Sequence, residues 1–182
     1  QEQVTPYFFL EDGYPDLLYQ CPDAPTILYV RGALQSWGQL RSLSIVGTRN
    51  ATSYGRGIVT SLISELAQRI PSLLITSGLA YGIDIQAHRS ALECGLPTIA
   101  VLAHGLDTIY PAAHRREAMQ MLEQGAWVSE YAPGVKARPS SFLARNRIIA
   151  GLTEATIVVE AGSRSGSLST ARLALEYNRE VF

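Results

Sequence analysis

Residues 44–57 read SIVGTRNATSYGRG, a short apolar run that meets a glycine, a threonine and an arginine. This pattern is typical of a buried strand that enters a tight turn before a helix. A turn of that kind offers backbone amide groups to a phosphate. The stretch fits neither the dinucleotide pattern GxGxxG nor the triphosphate pattern GxxxxGK[ST]. It therefore leaves open which phosphate, if any, the turn holds.

The rest of the chain repeats this alternation of apolar runs and amphipathic stretches. Five further runs follow: LLITSG (73–78), TIAVLAH (98–104), AWVSE (126–130), TIVVEA (156–161) and EVF (180–182). Continuous apolar runs are typical of strands buried on both faces of a parallel sheet. Helical patterns lie between them, such as GIVTSLISELAQRI (57–70) and IDIQAHRSALECG (83–95). The alternation predicts an α/β fold with a doubly wound, mostly parallel sheet.

The first forty residues have a different composition. Prolines stand at positions 6, 15, 22 and 25, and TILYVRG (26–32) is the one clear strand pattern. We expect residues 1–40 to form a lead-in segment that adds an N-terminal edge strand to a domain spanning residues 41–182. Because the sequence stops inside a predicted strand at Phe182, we expect this domain to be truncated at its C-terminal end.

The composition favours a globular, cytoplasmic protein. Hydrophobic residues make up 47% of the 182 positions, and no apolar run approaches the roughly 20 residues that span a bilayer. The start, QEQVTPYFFLEDGYP, lacks the basic and apolar segments of a secretory signal. Cys21 and Cys94 do not have metal-ligand spacing, and two unpaired thiols suit a reducing compartment. We expect no membrane partner.

The charge distribution is uneven, although the net charge is only -1. Residues 24–64 contain four arginines and no acidic residue: Arg31, Arg41, Arg49 and Arg56. Residues 131–153 are also free of acidic residues and contain Lys136, Arg138, Arg145 and Arg147. If folding brings these two basic blocks together, they form a positive groove for a polyanion. Alternatively, their arginines pair with carboxylates from elsewhere in the chain.

Three glycine turns follow predicted strands and precede helices, at the edge where open parallel sheets bind ligands. They are Gly47–Thr48–Arg49, the SGLAYG turn around Gly78, and the GSRSGS turn (162–167). Ser165, Gly166 and Ser167 could donate several hydrogen bonds to one phosphate. The alternatives are that Ser167 is a simple N-cap and that Arg49 is a solvated arginine in a plain turn.

The segment SFLARNRIIAGL (141–152) predicts a helix with an arginine on its apolar side. Helical spacing puts four side chains on one face: Phe142, Arg145, Ile149 and Leu152. A buried guanidinium needs a partner, which is either a carboxylate such as Glu130 or Glu160, or a bound phosphate. Arg147 lies about 200° around the helix from Arg145. If both arginines contact a ligand, the ligand is extended rather than compact.

Five blocks resemble the motifs of the DNA-processing protein A family, also called DprA or Smf. They are GTRNATSYG, SGLAYGIDIQAH, AVLAHGLDTIYP, RNRIIAGL and VVEAGSRSGSLSTARLALEYNREVF, which occur in consistent order over residues 14–182. The resemblance implies an extended Rossmann-like domain that binds single-stranded DNA. It also implies a homodimer that protects incoming DNA and loads the recombinase RecA onto it during natural transformation.

The resemblance also implies which residues contact DNA. The positions that match Gly47, Thr48, Arg49 and the RNR block belong to the family's basic pocket, and Ser165–Ser167 belong to its glycine–serine loop. With the basic residues nearby, the expected contacts are Gly47, Thr48, Arg49, Arg56, Gly78, Lys136, Arg138, Phe142, Arg145, Asn146, Arg147, Ser165, Gly166 and Ser167. Phe142 or Tyr54 would stack on a base, although core packing is the alternative for Phe142.

The chain departs from the family pattern in three respects. Phe142 is followed by Leu143 rather than proline, and the family's nearby lysine has only Lys136 and Arg138 as counterparts. His114 stands where an asparagine is common. The helical domain that precedes this region in the family, and the winged-helix-like domain that often follows it, have no counterpart in these residues.

Two other function classes remain as alternatives. Rossmann-like phosphoribohydrolases related to lysine-decarboxylase-type proteins use a PGGxGTxxE loop, but Leu173 stands where that pattern has its glutamate. Asp84 and His88 could imitate an acid–base pair, whereas helix-dipole and local hydrogen-bonding roles explain them equally simply. His104 and His114 lack metal-ligand spacing. We expect no catalysis, cofactor or metal. The third class is an interaction module whose pocket binds nothing.

Overall fold

A single eight-stranded sheet runs through the computed structural model, which describes residues 3–33, 39–163 and 165–182. The strands are β1 (Thr5–Phe8), β2 (Ile27–Gly32), β3 (Ser42–Gly47), β4 (Leu74–Ser77), β5 (Thr98–Val101), β6 (Ala126–Ser129), β7 (Ala155–Val159) and β8 (Glu180–Val181). Their order across the sheet is β1-β2-β6-β5-β4-β3-β7-β8. All neighbours from β6 to β8 pair in parallel, as the apolar runs predict.

The helices connect these strands and cover both faces of the sheet. They are α1 (Asp16–Tyr19), α2 (Ser53–Arg69), α3 (Ile83–Glu93), α4 (Arg115–Met121), α5 (Pro139–Gly151) and α6 (Gly166–Glu176). Apolar residues of α2 and α3 pack on one face against Ile45 and Ile75. Apolar residues of α5 and α6 pack on the other against Val46 and Leu74. The doubly wound, Rossmann-like prediction is confirmed.

The lead-in segment contributes two strands, and the predicted N-terminal edge strand is β1 rather than the strand predicted over residues 26–32. The strand predicted there, β2, is an interior strand that pairs antiparallel with both β1 and β6. Leu28 and Val30 of β2 are buried, so this face of the strand packs on the core. The short strand β1 is largely exposed and forms the edge. The lead-in also contributes Leu18 to the core beneath α5.

The parallel arrangement places three strand ends at one edge of the sheet. β3 ends at Gly47, β7 ends beside it at Val159, and β4 ends at Ser77. Gly47 and Val159 are register partners, so the turns that follow β3 and β7 begin side by side. The turn after β4 leads directly into α3. This edge is where a doubly wound sheet binds its ligands.

Candidate nucleic-acid interface

A cleft of about 830 Å³ opens at this edge. The turn after β3, the first residues of α5 and the loop before α6 line it. Nine of the sequence-predicted residues are among its walls: Gly47, Thr48, Arg49, Phe142, Arg145, Asn146, Ser165, Gly166 and Ser167. The volume is in the range of about 300–1,000 Å³ that is usual for ligand clefts. The fold therefore brings together chain segments that are about a hundred residues apart in sequence.

The turn after β3 is held rigidly by its neighbours. The amide of Thr48 donates to the carbonyl oxygen of Val159 at 3.3 Å, and the carbonyl of Thr48 accepts from Ile83 N at 3.1 Å. A Cβ atom on Gly47 would lie 2.0 Å from the Val159 oxygen, so only glycine permits this approach. The turn thus presents Arg49 from a fixed backbone.

Arg49 is exposed at the mouth of the cleft. Its guanidinium carbon lies 5.7 Å from the centroid of the Phe142 ring, a cation–π contact between the two basic blocks. Within residues 3–33, 39–163 and 165–182, the ion pairs involve Arg41, Arg69, Arg89 and Arg147, and Arg49 is in none of them. Its positive charge is therefore available to a ligand.

Arg145 forms the floor of the cleft, and its side chain is only 4% exposed. Nη1 donates to the carbonyl of Val101 at 2.5 Å, whereas the buried Nε has no hydrogen-bond partner. Burial lowers the pKa of Arg145 to about 10, and the opposite charge of Asp84 limits that decrease. The guanidinium stays charged at neutral pH.

The carboxylate near Arg145 is neither of the two that the sequence suggested. The sequence predicted either an internal carboxylate, such as Glu130 or Glu160, or a bound phosphate. The nearby carboxylate is that of Asp84, which accepts from Gly78 N at 3.2 Å. Burial raises the pKa of Asp84, and the charge of Arg145 opposes that increase. Gly78 makes the arrangement possible, because a Cβ there would lie 2.0 Å from Nη1 of Arg145. Gly78 therefore supports the cleft from behind and does not line it.

The glycine–serine loop begins α6 on the opposite wall. Ser165 is the N-cap, because its hydroxyl accepts from Ser167 N at 3.3 Å, so the alternative of Ser167 as the N-cap was wrong. Asn146 of α5 donates from Nδ2 to the carbonyl of Gly166 at 3.1 Å and ties the loop to α5. The N-terminus of α6 therefore lines the cleft with the positive end of its dipole. Arg164 lies outside the described residues.

Two aromatic rings form the rim of the cleft. Phe142 is half-buried, and its centroid lies 5.7 Å from that of Tyr110 with the ring planes at 56°. Tyr110 is 56% exposed. Sequence reasoning missed Tyr110, although it lies in the AVLAHGLDTIYP block that carried the resemblance. Tyr54, the other predicted stacking residue, is exposed on α2 and does not line the cleft.

Arg147 does not lie where the DNA-contact prediction needs it. Its Nη2 donates to Oε2 of Glu130 at 2.5 Å, and both side chains are mostly buried. Arg147 is also absent from the walls of the cleft. Its position on the helix, well away from Arg145, turns it toward the end of β6. We therefore remove Arg147 from the candidate site, because its charge is already neutralised.

The other basic residues of the two blocks do not line the cleft. Lys136 and Arg138 are exposed in the segment before α5, outside the cleft walls. Arg56 donates to the carbonyl of Ala51 and lines a neighbouring groove. Arg41 pairs with Glu154 at 2.5 Å, and Arg31 lies over the Trp127 ring. Among the basic residues that the structure describes, Arg49 and Arg145 are therefore the two that line the cleft.

The Asp84–His88 pair is not an acid–base dyad. His88 is buried, and its Nδ1 hydrogen-bonds to Oγ1 of Thr98 at 2.8 Å. Burial lowers the pKa of His88 to about 3, so the imidazole is neutral. Among the described residues, no group of three His, Cys, Asp or Glu side chains is arranged to hold a metal ion. None of the described helices is both long enough and apolar enough to cross a bilayer.

The sequence model of DNA recombination-mediator protein A matches residues 5–182. The chain belongs to the DprA family. Protein Smf of Escherichia coli is 46% identical over 170 residues, which cover 93% of this chain and 45% of that protein. The X-ray structure of DprA from Streptococcus pneumoniae superposes with a TM-score of 0.92 at 40% identity, covering 100% of this chain and 62% of that one.

DprA from Helicobacter pylori, whose structure concerns a single-stranded DNA binding mode, is 33% identical with a TM-score of 0.87. The match covers 99% of this chain and 80% of that one. This DprA-family chain spans about half the length of the curated relatives that it matches, from 41% to 63%. The family and the fold are thereby established for the region that the chain covers.

Proposed function

We propose that this DprA-family chain binds single-stranded DNA in the cleft. The observation that carries the proposal is the meeting of Arg49 and Arg145, from two distant basic blocks, above the N-terminus of α6. An unpaired surface cation, a buried cation and a helix dipole together favour a polyanion. The single-stranded DNA binding described for the H. pylori relative supports this ligand.

The walls of the cleft suggest how a strand is held. Phosphates contact Arg49 and Thr48 on one side and Ser165–Ser167 on the other, with Arg145 beneath them. A base stacks on Phe142, whose ring is positioned by Tyr110 and Arg49. Lys136 and Arg138 contact phosphates farther along the strand, since both are exposed near the cleft. Stacking and backbone contacts of this kind tolerate any base sequence.

A comparison of two arginine substitutions tests this proposal. Arg49→Ala removes a charge at the cleft, whereas Arg41→Ala removes one from the same basic block at the opposite end of β3. A charged hydrogen bond contributes about 1.5–3 kcal/mol, so Arg49→Ala should weaken oligothymidylate binding by about 10- to 150-fold. Arg41→Ala should leave the affinity nearly unchanged. Arg49→Lys should lower the affinity less than Arg49→Ala does.

Fluorescence anisotropy of a labelled oligothymidylate provides the measurement. Equal losses for Arg49→Ala and Arg41→Ala would mean that binding reflects diffuse charge rather than the cleft. Unchanged binding for Arg49→Ala would favour an interaction module whose pocket is unused.

We further propose that the protein acts as a cytoplasmic homodimer that protects incoming DNA and loads RecA onto it during natural transformation. Membership of the recombination-mediator family supports this role. Sedimentation of the purified chain would test the homodimer. RecA filament assembly on DNA strands to which the chain has bound would test RecA loading. Monomeric behaviour or unchanged assembly would place those properties in parts of the relatives beyond this chain.

We propose that the cleft binds without catalysis. The carboxylate on its walls is that of Asp84, whose Oδ2 accepts from Gly78 N while its charge faces Arg145. That carboxylate is therefore buried and hydrogen-bonded to the backbone, with the charge of Arg145 nearby. Release of free base from nucleoside monophosphates by the purified chain would instead support the phosphoribohydrolase alternative.

A further inference from the structure

A second groove, of about 540 Å³, adjoins the cleft and shares Arg49 with it. Its other walls come from the start of α2, the turn after β4, the middle of α3 and the residues before α4. Arg56, Tyr81, Arg89 and His114 are among them. Arg49 therefore lies between two cavities, and a chain bound in the cleft can continue past it into the groove.

Tyr81 provides a fixed aromatic face in this groove. The side chain is 51% exposed, and the centroid of its ring lies 4.8 Å from that of His114 in an edge-to-face contact at 68°. His114 is buried and is held by a 2.8 Å hydrogen bond between its Nδ1 and the carbonyl of Leu79. One face of a supported tyrosine is therefore open to a planar group such as a nucleobase.

The position of Tyr81 relative to Arg49 is set by direct backbone contact. Gly82, the next residue, has φ +80°, and a Cβ on it would lie 2.1 Å from the Thr48 carbonyl and 2.6 Å from the Arg49 carbonyl. Ile83 N donates to Thr48 O at 3.1 Å. The turn that carries Arg49 and the turn that carries Tyr81 are thus packed together as one surface.

Neighbouring groups already engage part of the positive charge that lines the groove. Arg89 is paired with Glu117, with its Nη2 2.8 Å from Oε1. Hydrogen bonds from Thr52 lower the pKa of Glu160, and the charge of Arg56 adds to this decrease, although no ion pair within 4.0 Å joins Arg56 and Glu160 in the described part of the chain. Binding here should therefore depend more on stacking than on charge.

We propose that the groove is a second subsite for the same single strand, in which a nucleotide beyond Arg49 stacks on Tyr81 and its phosphate contacts Arg56. This inference rests on the proposed function, because the strand must first occupy the cleft. It extends the binding footprint to Tyr81, which is not among the contacts predicted from the sequence.

The test compares short and long strands on the full chain. We would use oligothymidylates of about 4 and about 16 nucleotides, the limits of usual single-strand site sizes. Stacking on an aromatic side chain contributes about 1–3 kcal/mol per base, so Tyr81→Ala should weaken binding of the long strand by about 5- to 150-fold. It should change binding of the short strand less than about twofold, because the short strand is held in the cleft.

Two variants serve as controls. Tyr81→Phe keeps the ring and should bind the long strand like the unmodified chain. Tyr54→Ala removes a tyrosine that is 75% exposed outside both cavities and should bind both strands normally. The affinity of the long strand should also fall more steeply with salt, by about 0.7 in the log–log slope for each extra phosphate contacted.

The outcomes separate this inference from the proposed function. If Arg49→Ala weakens both strands while Tyr81→Ala weakens neither, the cleft binds DNA and the second subsite is wrong. Equal losses of both strands on Tyr81→Ala would also overturn it, since Tyr81 would then act on the cleft itself. If the unmodified chain binds neither strand, the proposed function and the inference both fail.

Discussion

Arg145 is a buried cation that the fold must stabilise and that lines the proposed DNA-binding cleft. Its guanidinium is buried beneath the cleft, where the charge of Asp84 and the carbonyl of Val101 stabilise it. Burying a cation is unfavourable unless it is paired and hydrogen-bonded. Gly78 provides the space for the guanidinium, since any side chain at that position would overlap it. The cleft floor thus depends on a glycine that does not line the cleft itself.

Gly78→Ala tests this dependence at the level of one methyl group. We expect the added Cβ to displace Arg145, lowering the free energy of unfolding by about 1–3 kcal/mol and weakening DNA binding. Gly57→Ala is the matched control, because a Cβ on this helical glycine meets nothing within 4 Å and should stabilise α2 by about 0.5–1 kcal/mol. Urea unfolding and anisotropy provide the measurements. Normal DNA binding by Gly78→Ala would show that the position of Arg145 is not required.

His88 should make stability depend on pH. Burial, with the nearby charges of His114 and Arg145, lowers its pKa from 6.5 to about 3. In the unfolded chain His88 binds a proton below pH 6.5, whereas in the folded chain it stays neutral down to about pH 3. The free energy of unfolding is therefore fully retained above pH 6.5 and decreases as the pH falls toward 3. The loss should be about 1.4 kcal/mol per pH unit.

Urea unfolding of the unmodified chain and of His88→Asn at several pH values isolates this contribution. The asparagine keeps a polar partner for Oγ1 of Thr98 but does not titrate. The stability difference between the two proteins should shrink by about 2 kcal/mol between pH 6.5 and about pH 5. A constant difference would show that His88 takes up its proton equally readily in the folded and the unfolded chain.

The elements of the site were predicted better than their contacts. Strand and helix positions from β3 to β8 follow from apolar periodicity, which depends only on local sequence. The order of the strands, the pairing of β2 with β6 and the N-cap at Ser165 were not predicted. These features depend on packing between segments that are far apart in the chain. The turn after β4 is an example, because its contact with the Thr48 carbonyl requires the tertiary fold.

Gly82→Ala tests the contact between the two turns, and Gly95→Ala is its control. Both glycines have positive φ, but a Cβ on Gly95 meets nothing within 4 Å. Gly95→Ala should cost about 1–2 kcal/mol of backbone strain and leave DNA binding intact. Gly82→Ala should cost a further 1–3 kcal/mol, roughly, from the clash with Thr48 and should weaken DNA binding. Equal stability and affinity of the two variants would argue that the turns act independently.

At the scale of the whole molecule, a nearly neutral chain presents a local positive site. Its net charge is -1, and most of its basic residues lie away from the cleft or are paired. The clustering of Arg49 and Arg145 at the N-terminus of α6 concentrates the remaining positive potential. Binding should therefore reflect a small number of phosphate contacts rather than the overall charge.

A salt titration measures that number. Contact with about three to five phosphates predicts a log–log slope of roughly -2 to -3.5 on single strands. The slope should become shallower by about 0.7 in Arg49→Ala and stay unchanged in Arg41→Ala. A flat dependence for the unmodified chain would rule out phosphate binding in the cleft.

The sequence by itself determined the fold class, the family and the turns that form the cleft. Local periodicity and short motifs encode these features, so they can be read without coordinates. Only the tertiary structure decided which charges are available: Glu130 neutralises Arg147, Asp84 lies beside Arg145, and Arg49 is left unpaired within the described ranges. Ion pairing depends on distances of a few ångströms between segments remote in sequence, and the fold alone sets those distances.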